Sequence, residues 1–511
     1  MHRGISKRRH LVDIDFFYLA FVVAVCCAVV SAALGVWIAW SDVPHIRGAE
    51  VNVIFTIQKV LSGGPLYTDP ADFPFDIAQY TPLYYLLAAT ILRCLGVAPF
   101  DAESVTTVCR LLSSCLTCLL LILAYRLLTR KLGVRSTISI MACAFILITT
   151  APWYFLARPD SCMSLCMLTS WYFLLKTDRK NKEYSFVFLS ASITFGILAT
   201  FAKQNGLQAL AVILVFFLIK RDWRNMRISL CVLTLLFIPV VVLVKYFFGP
   251  AMLENIIGGG DNGISIYNAI HKPYKIIFGN FSLLIALTCM TACSWLRQKV
   301  LFQEVLLGTT LVFLFAFATV TALKVGSAEN YYNEFIVMAS IGVAYLFASR
   351  EKLRRDSASD PYRLEKIMAL YLLIFLPFWT GGQIYDYWYR FSKPAWLKPQ
   401  KRYSFSAYAN IVDFVRKEAE QHGQIKILSF ESAINNLLPA YAVVPQKEIA
   451  ALSYQRRVID YSRFRNYVRA GRIKFLIIKK DEQMAGFLGA NFDQFRHIHD
   501  IDAYAIYEYR E

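Results

Sequence analysis

Charged residues are scarce in this sequence. Asp, Glu, Lys and Arg make up 18% of its 511 residues, whereas a soluble globular protein carries about 25%. Hydrophobic residues account for 57%, and several charge-free runs exceed about 18 residues, the length that a membrane-spanning helix needs. These runs include residues 16–40, 136–157, 184–202, 276–296, 305–323 and 367–385. The composition therefore predicts an all-α polytopic membrane protein.

The sequence also lacks the patterns of a disulfide framework, a nucleotide-binding site and a cleaved signal peptide. All 12 cysteines lie at or before Cys293, mostly within apolar runs, which argues against a disulfide framework and favours cysteine as a small packing residue. No P-loop and no dinucleotide-binding glycine fingerprint is present, which weighs against an ATP-driven pump. No clear small-residue cleavage pattern follows the basic start "MHRGISKRRH". The first apolar run is therefore predicted to be an uncleaved signal anchor.

The net charge of +18 comes from basic clusters in short segments between apolar runs. Such clusters mark cytoplasmic loops in membrane proteins, so they do not predict a nucleic-acid partner. The N-terminus is accordingly predicted to lie in the cytoplasm. The clusters lie at residues 3–9, 126–135, 176–182, 220–227, 297–299 and 350–363.

The stretch "YTPLYYLLAATILRCLG" decides the topology. Its charge-free core, residues 81–92, is only 12 residues long, a length typical of interfacial segments. If it crossed the membrane, every later basic loop would lie outside. We predict an interfacial helix on the outer face and eleven spans, at about 16–40, 106–127, 136–157, 161–176, 184–202, 205–220, 228–247, 275–296, 303–323, 331–349 and 366–385.

The predicted organisation has three parts. Residues 1–385 form the transmembrane domain, and residues 41–105 are its first outer loop. Residues 386–403 are aromatic and basic, which suits a linker at the membrane interface. Residues 404–511 are predicted to form a small α/β domain on the outer face, with a helix that ends at Gly423.

Strands of this outer domain are predicted at "IKILSF", "KFLIIKK" and "AYAIYEYR". The "HIHD" sequence at residues 497–500 is interpreted as the edge of a strand in preference to a metal site.

Polar residues of the transmembrane part collect in the predicted outer loops. Because a carboxylate at the outer end of a span can act as a general base towards a hydroxyl, Glu50 and Asp42 in the first outer loop are candidate catalytic residues.

The first outer loop, "GAEVNVIFTIQKVLSGGPLYTDP" followed by "YTPLYYLLAATILRCLG", resembles that of GT-C glycosyltransferases. The similar branch is the PMT-like one, which includes bacterial aminoarabinose and galacturonic acid transferases. "LARPDSCMSL", "AKQNGL" and "GSAENYYNEF" are similar to later outer-loop motifs of this family. Many members carry two adjacent acids in the first loop, whereas Ala49 precedes Glu50 here. Whether Glu50 acts alone or with Asp42 therefore stays open.

The resemblance implies a polyprenyl-phosphate-linked sugar as donor and direct displacement at the anomeric carbon on the periplasmic face of the bacterial inner membrane. The acceptor would be a hydroxyl, or a phosphate, of a glycan, lipid or protein. A leaving phosphate needs positive charge, for which Arg158 is suited by its forked donors. Asp160 is the third candidate catalytic residue, after Glu50 and Asp42, and would hold Arg158, position the acceptor or bind a divalent cation. The predicted substrate-binding residues are Arg158, Lys203, Gln204, Tyr80, Tyr84, Asn330 and Tyr331.

Three alternatives compete with this interpretation. A transporter or flippase of lipid-linked glycans predicts charges or broken helices near the middle of the membrane, where these spans are largely charge-free. A polymerase or ligase of such glycans typically has its large loop late in the chain, whereas here it is the first. A membrane-anchored binding protein does not need eleven spans.

Overall fold

The computed structural model describes residues 2–46, 48–178, 182–260, 263–274, 301–353, 362–391, 404–480 and 488–510, together with residues 285, 288 and 486. Most of the described chain is helical. The helices are α1 His2–Ala39, α2 Glu50–Leu61, α3 Pro82–Cys94, α4 Ala102–Arg126, α5 Ser136–Tyr154, α6 Asp160–Leu175, α7 Lys182–Ala202, α8 Leu207–Ile219, α9 Trp223–Phe248, α10 Ala251–Gly258, α11 Ile266–Tyr274, α12 Phe302–Ala322, α13 Asn333–Leu353, α14 Tyr362–Phe391, α15 Ala409–His422, α16 Ser432–Leu437, α17 Lys447–Gln455 and α18 Ser462–Arg469.

Among the described residues, eight helical segments are long and apolar enough to cross a membrane. They are Phe16–Ala39, Ala102–Lys131, Ser136–Tyr154, Ser185–Ala202, Trp223–Phe248, Phe302–Ala322, Glu329–Ser349 and Met368–Trp388, and each corresponds to a predicted span. The predicted spans 161–176 and 205–220 are the shorter helices α6 and α8. The predicted span 275–296 falls almost entirely outside the described residues. The polytopic helical class is confirmed, and the count of eleven stays a prediction.

The helices form a bundle because their apolar faces pack on one another along most of their lengths. α1 packs against α5 and α14, and α6 packs against α7 and α4. Hydroxyl groups inside the bundle mostly donate to carbonyls one helical turn earlier, as Thr149 does to Phe145 and Thr310 does to Leu306, both at 2.7 Å. Such bonds satisfy polar side chains where water is absent.

Two helices belong to the first loop. α3 has 13 residues, which gives a length of about 20 Å and is too short for a hydrocarbon core of about 30 Å. Pro82 occupies its first turn, where a missing N–H costs nothing. The apolar spacing of residues 50–61 predicts a helix lying on the surface, and this prediction is wrong in one respect: nearly all side chains of α2 are buried. They are covered because α3, α4 and α16 pack around it.

The C-terminal region contains a four-stranded sheet of β1 Ile427–Ser429, β2 Phe475–Lys479, β3 Phe495–Ile501 and β4 Tyr504–Tyr509, in the order β1-β2-β4-β3. β1 pairs in parallel with β2, and the other two pairs are antiparallel. The three predicted strands and the helix ending before Gly423 are confirmed. The "HIHD" sequence lies in the edge strand β3.

The first loop is fastened to the C-terminal region. Phe75 and Ile77 lie in the same hydrophobic cluster as Leu428 and Phe464. The Phe75 and Phe464 rings meet edge to face at 5.3 Å between their centroids. At the next point of contact, Asn436 Nδ2 donates to the carbonyl of Val51 at 3.2 Å. These contacts fix α2 and the segment after it, which together shape the two cavities described below.

Candidate functional site

Segments that are far apart in the sequence meet in a polar cavity of about 130 Å³ at one end of the bundle. They come from the first loop, the α5–α6 turn, the α7–α8 turn and the segment before α13. The predicted outer loops therefore share one end, and the assignment of that end to the periplasm stays a prediction. The lining residues are Gly48, Ala49, Gln79, Tyr80, Trp153, Arg158, Lys203, Gln204, Asn205, Gly259, Lys324, Val325, Gly326, Ala328, Asn330 and Tyr331.

Asp160 holds the charged part of this site together. It is the first residue of α6 and is completely buried, a position that the helix dipole favours for a carboxylate. One oxygen, Oδ1, accepts from Lys203 Nζ at 2.8 Å and from Asn330 Nδ2 at 2.9 Å. The other, Oδ2, accepts from Arg158 Nε at 3.0 Å. All three of these partners line the cavity.

The Arg158 guanidinium lies between Asp160 and the cavity. Its Nη2 donates to the Tyr80 hydroxyl at 3.3 Å, and its Cζ lies 5.2 Å from the centroid of the Trp153 ring. Within the part of the chain that the structure describes, only two of its five N–H groups have a protein acceptor. Gly48 makes room for the group: a Cβ there would lie 2.3 Å from Arg158 Nη1, and the residue has a φ of +64°. Arg158 therefore keeps donors for a ligand.

Lys203 is the second cation. It precedes the short turn that leads into α8, and its Nζ lies 5.6 Å from the ring centroids of both Tyr80 and Tyr331. Asp160 is its one hydrogen-bond acceptor among the described residues. Two buried cations around a single carboxylate leave a surplus of positive charge. In a water-poor site such a surplus favours an anionic ligand.

The charges of this cluster are fixed over a wide pH range. Burial opposes ionisation of Asp160, but the neighbouring Lys203 and Arg158 outweigh it and hold the pKa of this carboxyl well below its ordinary value. Burial likewise opposes the charge on Lys203, and Asp160 outweighs it and raises the pKa of the ammonium group. Both groups are therefore ionised at neutral pH.

Two carboxamides extend the polar lining. Gln204 Nε2 donates to the Gln79 carbonyl at 3.2 Å. Among the described residues, neither Gln204 Oε1 nor Gln79 Oε1 has a hydrogen-bond donor, although both atoms are buried. An unpaired buried acceptor is costly, and sugar hydroxyl groups are donors that would relieve this cost.

The predicted base Glu50 lies elsewhere. Its carboxylate accepts from Arg110 Nε at 2.8 Å, Arg110 Nη2 at 2.9 Å, the Ala157 amide at 3.0 Å and the Ile46 amide at 3.2 Å. Glu50 and Arg110 are both completely buried and neither lines the cavity. Burial alone would raise the pKa of Glu50, but Arg110 and the hydrogen bonds lower it. The catalytic role of Glu50 stays a prediction, in surroundings that leave its oxygens fully occupied.

The other predicted residues divide into two groups. Tyr80, Gln204, Asn330 and Tyr331 line the cavity together with Arg158 and Lys203. Asp42 is exposed and is not among the lining residues. Tyr84 is buried between α3 and α4, where its hydroxyl bonds to the Ser113 hydroxyl at 2.8 Å and to the Cys109 carbonyl at 3.1 Å.

Some residues of this region were missed at the level of the sequence. Arg110 lies inside the predicted span 106–127, whose other charge, Arg126, is at its end, and that isolation was the available signal. Glu334 is likewise a charged residue inside a predicted span. It is buried at the start of α13, and its Oε1 accepts from Ser164 Oγ at 2.7 Å. Trp153, Gln79 and Lys324 line the cavity without any distinguishing pattern in the sequence.

The predicted divalent cation does not fit this donor set. Both oxygens of Asp160 already accept from cationic groups, which would repel a metal ion. Within the described parts of the chain, no group of three or more His, Cys, Asp or Glu side chains is arranged to hold a metal. We therefore derive no chemical step through a metal.

Comparison with known proteins reveals similarity at the level of structure. No family model matches the sequence, and no curated protein matches it either. Among solved structures, ArnT from Cupriavidus metallidurans in the apo state is similar with a TM-score of 0.59 and 13% identity, over 94% of this chain and 97% of that one. The structure of the same protein bound to undecaprenyl phosphate gives a TM-score of 0.54.

Two further similar structures broaden the comparison. The Archaeoglobus fulgidus oligosaccharyltransferase has a TM-score of 0.58 and 12% identity, over 93% of this chain and 71% of that one. The mycobacterial arabinofuranosyltransferase AftD has a TM-score of 0.53 and 13% identity, over 95% of this chain and 40% of that one. The chain therefore has the GT-C fold of these membrane glycosyltransferases, as the sequence motifs predicted.

Proposed function

We propose that the protein transfers a sugar from a polyprenyl-phosphate-linked donor to a hydroxyl or phosphate group of a glycan, lipid or protein acceptor. The reaction would occur at the periplasmic face of the bacterial inner membrane. The observation that carries the proposal is the cationic cavity around Arg158 and Lys203, formed at the ends of membrane helices on a GT-C fold. A lipid-linked donor reaches such a site through the bilayer.

The chemistry is a displacement at the anomeric carbon. The acceptor oxygen forms the new bond to this carbon, and the bond to the lipid phosphate breaks with its electron pair going to the phosphate. Arg158 and Lys203 stabilise the charge that develops on the leaving phosphate, because fixed donors in a water-poor site act without reorganisation. Asp160 does not touch the phosphate in this scheme and instead holds the two cations in place, and Asn330 donates to the same Asp160 carboxylate.

The need for a base depends on whether the acceptor is a phosphate or a hydroxyl group. In the described part of the chain no carboxylate lines the cavity, and Glu50 is enclosed by Arg110 and two backbone amides. A phosphate acceptor is already ionised and needs no base. A hydroxyl acceptor would need one, and Glu50 could act only after its pair with Arg110 opens.

The proposal is tested by reconstituting the protein with defined undecaprenyl-phosphate sugars and measuring the release of undecaprenyl phosphate in the presence of acceptor. Arg158→Ala should lower transfer by about 10²–10³-fold and weaken the binding of undecaprenyl phosphate by about tenfold or more. Arg158→Lys should recover only part of the loss, because one ammonium group does not reproduce a forked contact.

Arg227→Ala is the matched control, because Arg227 is an exposed arginine at the start of α9 and is not among the lining residues of the cavity. It should leave transfer and binding unchanged. Full activity of Arg158→Ala would remove the cavity from the reaction. Movement of the intact lipid-linked sugar across the bilayer without release of the sugar would favour the flippase alternative.

A further inference from the structure

A second cavity, of about 300 Å³, lies where the first loop meets the C-terminal region; we call it the junction cavity. None of its lining residues belongs to the eight candidate membrane spans. They come from the last turns of α2, the segment after it, the loop before α4 and the C-terminal region. The lining residues are Phe55, Lys59, Ser62, Gly64, Phe73, Pro74, Phe100, Lys426, Pro439, Ala440 and Ala442.

The walls of the junction cavity are aromatic and remain partly open. Phe73 is 42% exposed and Phe100 is 54% exposed. Both lie outside the candidate spans, so their exposure is not explained by contact with the lipid around a span. Phe73 is held in place because its ring stacks on Tyr467, at 5.4 Å between centroids. Flat apolar surfaces with a few polar groups between them are typical of small-molecule sites, and sugar rings offer flat C–H faces to such surfaces.

The polar group that distinguishes this cavity is Lys426. Its Nζ donates to the Ala440 carbonyl at 2.8 Å and lies 5.2 Å from the centroid of the Phe73 ring. Among the residues that the structure describes, no carboxylate is paired with it. Partial burial disfavours the charged form and so lowers the pKa of this ammonium group, a shift that an anionic ligand would oppose.

Lys59, which also lines the junction cavity, behaves differently. Its Nζ lies 2.5 Å from Asp76 Oδ2, and Thr68 donates to the other oxygen of the same carboxylate. The charge of Lys59 is therefore neutralised by Asp76 within the protein. Lys426 is the cation that remains for a ligand.

We infer that the junction cavity binds an anionic saccharide, a sugar segment that carries a carboxylate or a phosphate group, with Lys426 contacting the anion and Phe73 and Phe100 contacting the sugar rings. A lipid headgroup is disfavoured because no candidate span contributes to the walls. As a binding site the cavity stands independently, and its role as part of an acceptor site rests on the proposed function.

The junction cavity and the cationic cavity around Arg158 and Lys203 lie at the two ends of α2. Gly48 and Ala49 line the cationic cavity just before α2 begins, and Lys59 and Ser62 line the junction cavity at its other end. From Glu50 to Lys59 the helix rises by about 14 Å, a distance that a short oligosaccharide spans. One acceptor chain could therefore present its reacting end to the first cavity and an anionic sugar to the second.

The test is direct binding to the full-length protein in detergent, measured by calorimetry at low ionic strength. The probes are tetragalacturonate, glucose 6-phosphate and, as the uncharged control, maltotetraose. An anionic probe should bind at least about tenfold more tightly than maltotetraose, and Lys426→Met should remove that advantage, since a contact to a charged group contributes about this much. Lys417→Met, at an exposed lysine of α15, is the matched control and should bind as the wild type does.

Phe100→Ala provides a second variant, because truncation of an exposed side chain leaves the fold intact, and it should weaken binding of tetragalacturonate. Equal binding of the anionic and neutral probes, or unchanged binding by Lys426→Met, would overturn the inference. So would a Lys426-dependent association with anionic lipid vesicles in place of the saccharides. Undecaprenyl phosphate should still bind to Lys426→Met, so that failure of the junction cavity and failure of the proposed function give different results.

Discussion

Glu50 and Asp160 are both completely buried carboxylates with an arginine partner, yet their surroundings differ. Arg110, the partner of Glu50, donates all five of its N–H groups to protein acceptors: two to Glu50 and the rest to the carbonyls of Ile38, Ser41 and Val43. Arg158, the partner of Asp160, has two protein acceptors among the described residues and faces a cavity.

The difference separates a structural ion pair from a binding cluster. The Glu50–Arg110 pair connects α4 to the start of the first loop, and it has no donor left for a ligand. The Asp160 cluster has a surplus positive charge and unused donors at a cavity. Burial and a shifted pKa are common to both, so they do not identify the functional site by themselves; the count of unused donors does.

The largest expected effect concerns the Glu50–Arg110 pair. Glu50→Gln should lower the free energy of unfolding by about 3–5 kcal/mol, because it leaves the Arg110 charge buried without a partner. The melting temperature in detergent measures this loss. Arg227→Ala, which removes an exposed charge, should change it little.

The double variant Glu50→Leu with Arg110→Met sharpens the comparison. It should be more stable than Glu50→Gln, because neither charge is then left alone. If the pair is purely structural, the folded double variant transfers sugar. A folded double variant without activity would instead restore Glu50 as the catalytic base, which lowers turnover by about 10²–10⁴-fold when it is lost.

The next largest effect concerns Lys203. Lys203→Met removes one of the two cations and leaves Asp160 paired with Arg158, so the protein should fold. Transfer should fall by about 10–100-fold, because a hydrogen bond to a charged phosphate is lost. Turnover and undecaprenyl phosphate binding are measured together, and a normal value for both would leave Arg158 as the sole phosphate ligand.

A change of pH is expected to have a smaller effect on the stability that the Asp160 cluster provides. The lowered pKa of Asp160 means that its stabilising contribution is present above the ordinary Asp pKa of about 3.9 and is lost as the pH falls through the folded-state value. The raised pKa of Lys203 means that its contribution is present below about 10.4 and is lost only as the pH rises further. The contribution of the cluster to the free energy of unfolding should therefore be constant between about pH 5 and 9.

The melting temperatures of wild type and Asp160→Asn, measured from pH 3 to 9, check this expectation. Their difference should be constant from pH 5 to 9 and should shrink in acid, where the wild-type carboxylate also becomes neutral. A difference that changes around neutral pH would mean that a coupled group titrates there, either Asp160 itself or Glu334, a buried carboxylate that interacts electrostatically with Asp160 and Lys203.

The smallest effect is expected for Asp42, an exposed acid outside the cavity lining. Asp42→Asn should change stability by less than about 0.5 kcal/mol and should leave transfer unchanged. The Asp42 carbonyl accepts from the Phe405 amide at 2.8 Å, and this backbone contact survives the substitution. An inactive Asp42→Asn protein would make Asp42 the base and contradict the emphasis on the buried clusters.

Several parts of the site were predictable from the sequence because charges are rare in apolar surroundings. Arg158, Asp160 and Lys203 interrupt long hydrophobic runs, and the cost of placing them there indicated a role. Asn330 and Tyr331 were predicted from their place at the start of a span. All of these converge on one cavity, apart from Asp160, which holds three of the lining residues.

Other parts were not predictable, because they depend on partners distant in the sequence. Glu50 has the same type of position as Asp160, because each is the first residue of a helix. Its pairing with Arg110, 60 positions away, becomes evident only when α2 and α4 are packed together. Similarly, α2 has the pattern of a surface helix, and the C-terminal region covers it.

The sequence by itself determined the helices and their class, because a chain in hydrocarbon must satisfy its backbone hydrogen bonds within each segment. It also determined which loops carry charge. The tertiary structure alone decided which carboxylate is enclosed and which one supports a cavity. That outcome depends on donors contributed by segments up to 170 residues apart, such as Asn330 to Asp160, and no local pattern in a sequence specifies which distant groups will meet.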